Sequence, residues 1–155
     1  MPRIERHANV TWDGTNARGR GAISAGTGAF TGLEYSLPVR IGKGTEGKTS
    51  PEELLAAAHA GCFAMSLAGE LRRDDAHIDV TANVVMDEVE GNGHRIVESQ
   101  LTVRVAASGI ERREEFDRIV RAAHEGCPFS QLIEASAKVT IDADLEGQWP
   151  SAVQA

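Results

Sequence analysis

Two cysteines, Cys62 and Cys127, are the only thiols in the chain, and they sit in near-identical packets, AAHAGC at 57–62 and AAHEGC at 122–127. Each cysteine follows a histidine by three residues, His59 in the first packet and His124 in the second. Such a set admits a tetrahedral zinc site, since residues i and i+3 share one helical face and two His-x-x-Cys pairs supply four ligands. Against it, alanine-rich amphipathic helices commonly carry a histidine at their polar margin, and no further cysteine or acidic cluster supports a metal. A thiol redox couple fits better. Cys62 lies among Gly61, Phe63, Ala64 and Met65, an apolar setting that suits an organic substrate. Burial alone raises a thiol's pKa and makes it inert, so Cys62 needs a nearby cation. Cys127 precedes Pro128 at a helix junction, where the positive end of the following helix favours a thiolate. That makes Cys127 the more acidic candidate and leaves open which thiol attacks first.

A second motif competes for the function. The loop Gly42–Thr49 (GKGTEGKT) matches G-x-x-x-x-G-K-[ST], the phosphate-binding P-loop with Lys48 as its lysine. In a P-loop the Gly-Lys-Thr residues open the helix and aim their N–H groups at phosphate. Here Pro51 disfavours the helical region at Ser50, and Ser50, Pro51 and Glu53 are start signals that place the helix after Thr49. The flanking segments also lack the alternating strands and helices that a nucleotide fold requires. A solvated connecting loop is the expectation.

The elements that must hold these residues can be read from period and punctuation. Ile4, His7–Val10 and Trp12, then Gly19–Ala25, read as strands around an Asp13-Gly14 turn, and Tyr35–Ile41 as an edge strand interrupted by Pro38. The segment from Ser50 to about Arg72 is helical and apolar on most faces, which predicts burial on several sides. Gly61 and Gly69 within it predict a close neighbour. Residues 78–90 and 94–107 form a hairpin about Gly91-Asn92-Gly93. A helix with Ile110, Phe116, Ile119, Val120 and Ala123 on one stripe runs to Gly126, FSQLIEAS forms a shorter helix, and AKVTIDADL a last strand. The order, with hairpins in place of βαβ units, predicts an α+β fold. Residues 1–145 are expected to form a single domain, with an irregular tail over 146–155.

Sixteen basic and twenty-three acidic side chains leave a net charge of −7, which argues against nucleic acid or an anionic membrane surface as partner. The run LLAAAHAGCFAMSLAG is short for a span of about 20 residues and reads as a buried helix of a soluble protein. MPRIERHANV shows no secretory h-region, so a reducing, cytoplasmic compartment is expected, and a permanent disulfide is disfavoured.

Taken together, YSLPVR with its glycine-rich loop, SPEELLAAAHAGCFAMSLAGEL and AAHEGCPFSQLIEAS resemble the osmotically inducible protein C and organic hydroperoxide resistance (OsmC/Ohr) family. The likeness runs from the first strand to VTIDADL. The arginine before the loop and the apolar hairpin favour the OsmC branch. The resemblance implies a thiol peroxidase that reduces organic hydroperoxides, without a metal or cofactor. Cys62 matches the peroxidatic cysteine and Cys127 the resolving one. Arg40 matches the arginine that contacts the reactive thiolate, and Glu52 the glutamate that holds this arginine. It also implies curved antiparallel sheets around two central helices, an intertwined homodimer, and a dithiol reductant such as a lipoyl group on a partner protein. His59 and His124 are expected to be packing residues only.

Overall fold

The computed structural model describes residues 3–147 and divides into two compact units, Met1–Leu54 and Leu55–Ala155. The predicted tail lies outside the described residues from 148 onward. Each unit carries one three-stranded sheet, and with the helices they make an α+β protein.

In the first unit, β1 (Ala8–Asp13), β2 (Arg20–Ala25) and β3 (Leu33–Tyr35) form an antiparallel sheet in that order. Gly14 leaves β1 with φ +94, a conformation that suits glycine. Gly21 pairs with both Trp12 and Tyr35 across the sheet. Those two rings lie 5.4 Å apart, and a Cβ at Gly21 would collide with both. The expected strand over Tyr35–Ile41 ends instead at Tyr35 and gives way to a single helical turn, α1 (Leu37–Arg40). A proline is tolerated in an edge strand. However, Pro38 has a φ that suits a first helical turn and no N–H for a ladder. The turn closes through Arg40 N–H to the Ser36 carbonyl and Ile41 N–H to that of Leu37, both 3.0 Å.

The long helix α2 (Pro51–Leu71) begins where its start signals place it. Ser50 Oγ accepts the Glu53 N–H at 3.1 Å, as in a capping box. The glycine loop before it is not a phosphate cradle. Lys48 Nζ pairs with Glu34 at 3.4 Å, Thr49 N–H donates to the Glu34 carbonyl, and the helix starts beyond the Gly-Lys-Thr run.

In the second unit, β4 (His77–Val89) and β5 (Gly93–Ala106) form the predicted antiparallel hairpin, with a bulge between Val85 and Met86. Helices α3 (Arg113–Gly126) and α4 (Pro128–Glu134) follow, and then β6 (Lys138–Leu145). β6 pairs parallel with β5, so the expectation of purely antiparallel sheets is corrected to one antiparallel and one mixed sheet. A parallel pair needs a crossover, and α3 and α4 supply it. The core joins Phe63, Leu67 and Leu71 of α2 to Leu101, Val103 and Val105 of β5. Ile110, Phe116, Ala123 and Cys127 complete it with Ala143 and Leu145 of β6.

The expected burial of α2 on several sides is not found. Its buried residues are His59, Phe63, Leu67 and Leu71, four positions spaced by four and hence a single stripe. By length and composition α2 is apolar enough to cross a membrane, so the shortness argument fails for the whole helix. Only 22% of its most apolar window is buried within the chain. Among the described residues a Cβ at Gly61 or Gly69 would meet nothing within 4 Å, so the close neighbour expected there is not found. Met65 is 79% exposed.

Candidate functional site

Both thiols belong to the second unit and are free. Cys62 projects from α2 one turn beyond His59, partly exposed and packed against the core. Cys127 is fully buried at the joint between α3 and α4, where it is the N-cap of α4. Its Sγ accepts the Ser130 N–H at 3.5 Å, so the sulfur occupies the place that a serine or aspartate oxygen takes in an ordinary cap. The two thiols are near enough to influence each other's acidity, and the Phe129 backbone N–H favours the anion of both.

Their environments separate their acidities. Burial pushes Cys127 up, but the side-chain and backbone donors of Ser130, with the Cys62 thiol and the Phe129 N–H, outweigh it and hold the group below an ordinary thiol. For Cys62, burial pushes up, the Phe129 N–H pulls down and Cys127 pushes up again, leaving it above an ordinary thiol. Cys127 is thus the more acidic of the pair, in the direction its place before Pro128 suggested.

His59 is more than packing. It is fully buried, with Nδ1 2.8 Å from Ser99 Oγ and Nε2 2.9 Å from Ser130 Oγ. Burial lowers its pKa, the neighbouring His124 lowers it further and Glu134 partly offsets both, so the ring is neutral near pH 7. His124 instead links α3 to α4, its Nε2 2.9 Å from Glu134 Oε1, while its buried Nδ1 has no hydrogen-bond partner among the described residues. Both ring nitrogens of His59 are thereby engaged by serines. Among the described residues no three His, Cys, Asp or Glu side chains converge as metal ligands. The zinc alternative built on His59, Cys62, His124 and Cys127 is not supported.

Ser99 and Ser130 were not singled out from the sequence. Ser130 was visible as the third residue of a helix capped by Cys127, where a cap's hydrogen bond lands. Ser99 was visible as the one polar member of the buried alternation Ser99, Leu101, Val103, Val105 on β5.

Arg40 and Glu52 belong to the first unit, where α1 and the first turn of α2 bring them together. Arg40 Nε lies 2.9 Å and 3.0 Å from the two carboxylate oxygens of Glu52, and its Nη2 also donates to Oε1. The guanidinium is raised, chiefly by this hydrogen bonding, against the cost of burial. Burial pushes the Glu52 carboxyl up, but the Arg40 bonds and local donors, Ser50 among them, bring it below the usual range. The paired charge fixes the planar group in one orientation. Arg40 also lines a cleft of about 180 Å³ with Trp12, Asn16, Tyr35, Ser36 and Leu37.

One partly exposed and one buried free thiol, carried by an α+β scaffold with a helical crossover, are what a cysteine-redox class of protein uses. The comparisons give the class its family. A family model described as OsmC-like protein matches residues 42–142. Peroxiredoxin OsmC of Escherichia coli is 37% identical over 146 residues, covering 92% of this chain and 98% of that protein. The organic hydroperoxide resistance protein OhrA of Bacillus subtilis is 32% identical over 114 residues, covering 71% and 78%. The crystal structure of OhrB from Bacillus subtilis superposes with a TM-score of 0.62 at 26% identity, over 89% of this chain and 98% of that one. This chain belongs to the OsmC-like family.

Proposed function

We propose that the protein is a cysteine-based peroxidase that reduces organic hydroperoxides to alcohols in defence against oxidative stress. The observation that carries this reading is a pair of free cysteines, one partly exposed and one buried, that influence each other's acidity, in a member of a family whose relatives are named peroxiredoxin and organic hydroperoxide resistance protein.

Cys62 is the attacking sulfur. Cys127 is more acidic but has no exposed surface, whereas Cys62 is reached from solvent, and a peroxide must touch the sulfur it oxidises. The Cys62 thiolate displaces the O–O bond, becoming a sulfenic acid and releasing alkoxide, which takes up a proton as alcohol. Arg40, held by Glu52, supplies the cation that a half-buried thiolate requires and offsets charge on the departing alkoxide. Cys127 then attacks the sulfenic sulfur, hydroxide leaves with a proton as water, and a Cys62–Cys127 disulfide forms. Two electrons from an external dithiol, a lipoyl group on a partner protein, restore both thiols.

The protein works as a homodimer. The apolar side of α2 left uncovered by the described residues, with exposed Met65 and with Gly61 and Gly69 unopposed among them, supports a second copy as its cover, and Leu132 of α4 adds another exposed apolar side chain. The compartment is cytoplasmic, where reducing conditions keep both thiols available for the cycle.

The test is hydroperoxide consumption with reduced lipoamide. Cys62→Ser abolishes consumption and sulfenic-acid trapping. Cys127→Ser retains one rapid stoichiometric oxidation at Cys62 but cannot form the internal disulfide. Undiminished turnover in Cys62→Ser overturns the reading.

A further inference from the structure

The second unit contains a buried polar chain that the peroxidase cycle above does not use. Ser99 Oγ lies 2.8 Å from His59 Nδ1, His59 Nε2 lies 2.9 Å from Ser130 Oγ, and the Ser130 N–H donates to Cys127 Sγ at 3.5 Å, with the Ser130 side chain also favouring the Cys127 anion. Ser99, His59, Ser130 and Cys127 are all fully buried. The chain joins three separate elements, β5, α2 and α4, and ends on one of the two reacting sulfurs. Burying four polar groups in an apolar core is costly unless all are satisfied, so a network of this kind specifies one arrangement.

We propose that His59 is a positioning residue for the resolving step, acting through Ser130 to hold the Cys127 sulfur as the attacking thiolate. This rests on the peroxidase reading and adds to it a role for residues outside the cysteine pair and the Arg40–Glu52 pair.

The His59 tautomer decides whether the Ser130 hydroxyl is free to donate to the sulfur. A neutral imidazole has one N–H. If Nδ1 carries it, Nε2 takes the Ser130 hydroxyl proton, and that hydroxyl cannot donate to sulfur. If Nε2 carries it, Nε2–H donates to Ser130 Oγ and the Ser130 O–H donates to Cys127 Sγ. The Ser99 O–H then closes the far end by donating to Nδ1. In this second arrangement every donor along the chain points toward the sulfur. With the Ser130 N–H, one residue then gives two hydrogen bonds to a sulfur that has no access to water. His59 also faces His124 from α3 and Glu134 from α4, and Cys127 faces Cys62 from α2. Burial keeps the imidazole uncharged, so the relay operates through its tautomer and not through a positive charge.

The balance of the step is unchanged by the relay. Cys127 thiolate forms the S–S bond with Cys62, hydroxide leaves the sulfenic sulfur, and the proton lost by the Cys127 thiol completes the water. What the relay changes is the fraction of Cys127 present as thiolate and the direction in which its lone pair points.

The test separates resolution from oxidation. In single-turnover mixing with an alkyl hydroperoxide, sulfenic acid at Cys62 and the internal disulfide are followed independently in the wild type, His59→Leu, His59→Gln and Ser130→Ala. His59→Leu and Ser130→Ala slow disulfide formation about tenfold, with Cys62 oxidation unchanged. In a Cys62→Ser background, ultraviolet thiolate absorbance reads Cys127 alone, and the same variants move its titration up by roughly one pH unit, the equivalent of that tenfold loss. His59→Gln, whose amide can donate where Nε2–H does, restores both values toward wild type. Equal disulfide rates and an unmoved Cys127 titration in His59→Leu and Ser130→Ala overturn the relay while leaving the peroxidase intact. Failure of the wild type to form the disulfide overturns the peroxidase reading instead. Ser130→Ala removes a single oxygen, so it keeps the test decisive if His59→Leu does not fold.

Discussion

Replacing Glu52 by glutamine isolates the charge that holds Arg40. The carboxylate receives Nε at 2.9 Å and 3.0 Å as well as Nη2. Its side chain is 16% exposed and that of Arg40 36%. Glutamine keeps one acceptor oxygen but turns an NH₂ toward a guanidinium that has only donors. Hydrogen bonds to charged groups contribute about 1.5–3 kcal/mol each when buried. Solvent screening at the Arg40 side reduces the whole pair to a net loss of about 1–2 kcal/mol on substitution. The pH dependence carries the sharper signature. The Glu52 carboxyl is depressed in the folded protein, so its stabilisation is fully present above the unfolded carboxyl value of about 4.3 and is lost as pH falls through the folded value. Urea unfolding of both proteins at one fixed concentration should therefore show midpoints about 0.5–1 M apart at pH 7. The gap should close as the pH is lowered through the acid range. A gap of the same size at neutral and acid pH would refute the charge argument and leave only a packing difference.

Three further outcomes are expected. Arg40→Lys retains a cation but loses the planar fork, so oxidation of Cys62 by hydroperoxide slows about tenfold in stopped-flow measurements while the fold is kept. Phe116→Ala removes a ring with no exposed surface, which Arg113 overlies at 5.9 Å. It destabilises by about 3–5 kcal/mol, seen in calorimetry as a Tm lower by ~10 °C. Met65→Glu puts a charge on the uncovered side of α2 and shifts the species in sedimentation from dimer to monomer, with little change in the stability of the isolated chain.

The parts legible in the sequence were those with local causes. The start of α2 follows from Ser50, Pro51 and Glu53, and the β4–β5 hairpin from Gly91-Asn92-Gly93, because each signal acts within a few bonds. Cys127 as a cap was legible for the same reason, from the proline after it. The Tyr35–Ile41 strand failed because an edge strand and a proline-initiated turn both fit that segment, and the loop that follows leaves no partner strand to decide between them. The direction of β6 was not legible, since a strand's side-chain pattern reads the same for parallel and antiparallel pairing. Apolar residues all round α2 predicted burial, yet hydrophobicity does not say which chain supplies the cover. Ser99 and Ser130 escaped notice because their meaning lies in a third residue, His59, forty and seventy-one positions away in sequence.

The unequal exposure of the two sulfurs gives the oxidised enzyme a polarity. In the proposed disulfide an incoming dithiol meets only the Cys62 side, since Cys127 has no surface to offer. The electrons of the broken S–S bond then depart onto Cys127, the sulfur whose donors already stabilise an anion, and thiol exchange runs faster with the more acidic leaving group. One arrangement of donors around a hidden sulfur thus eases both closing the bond and opening it, and directs every reductant to the same end.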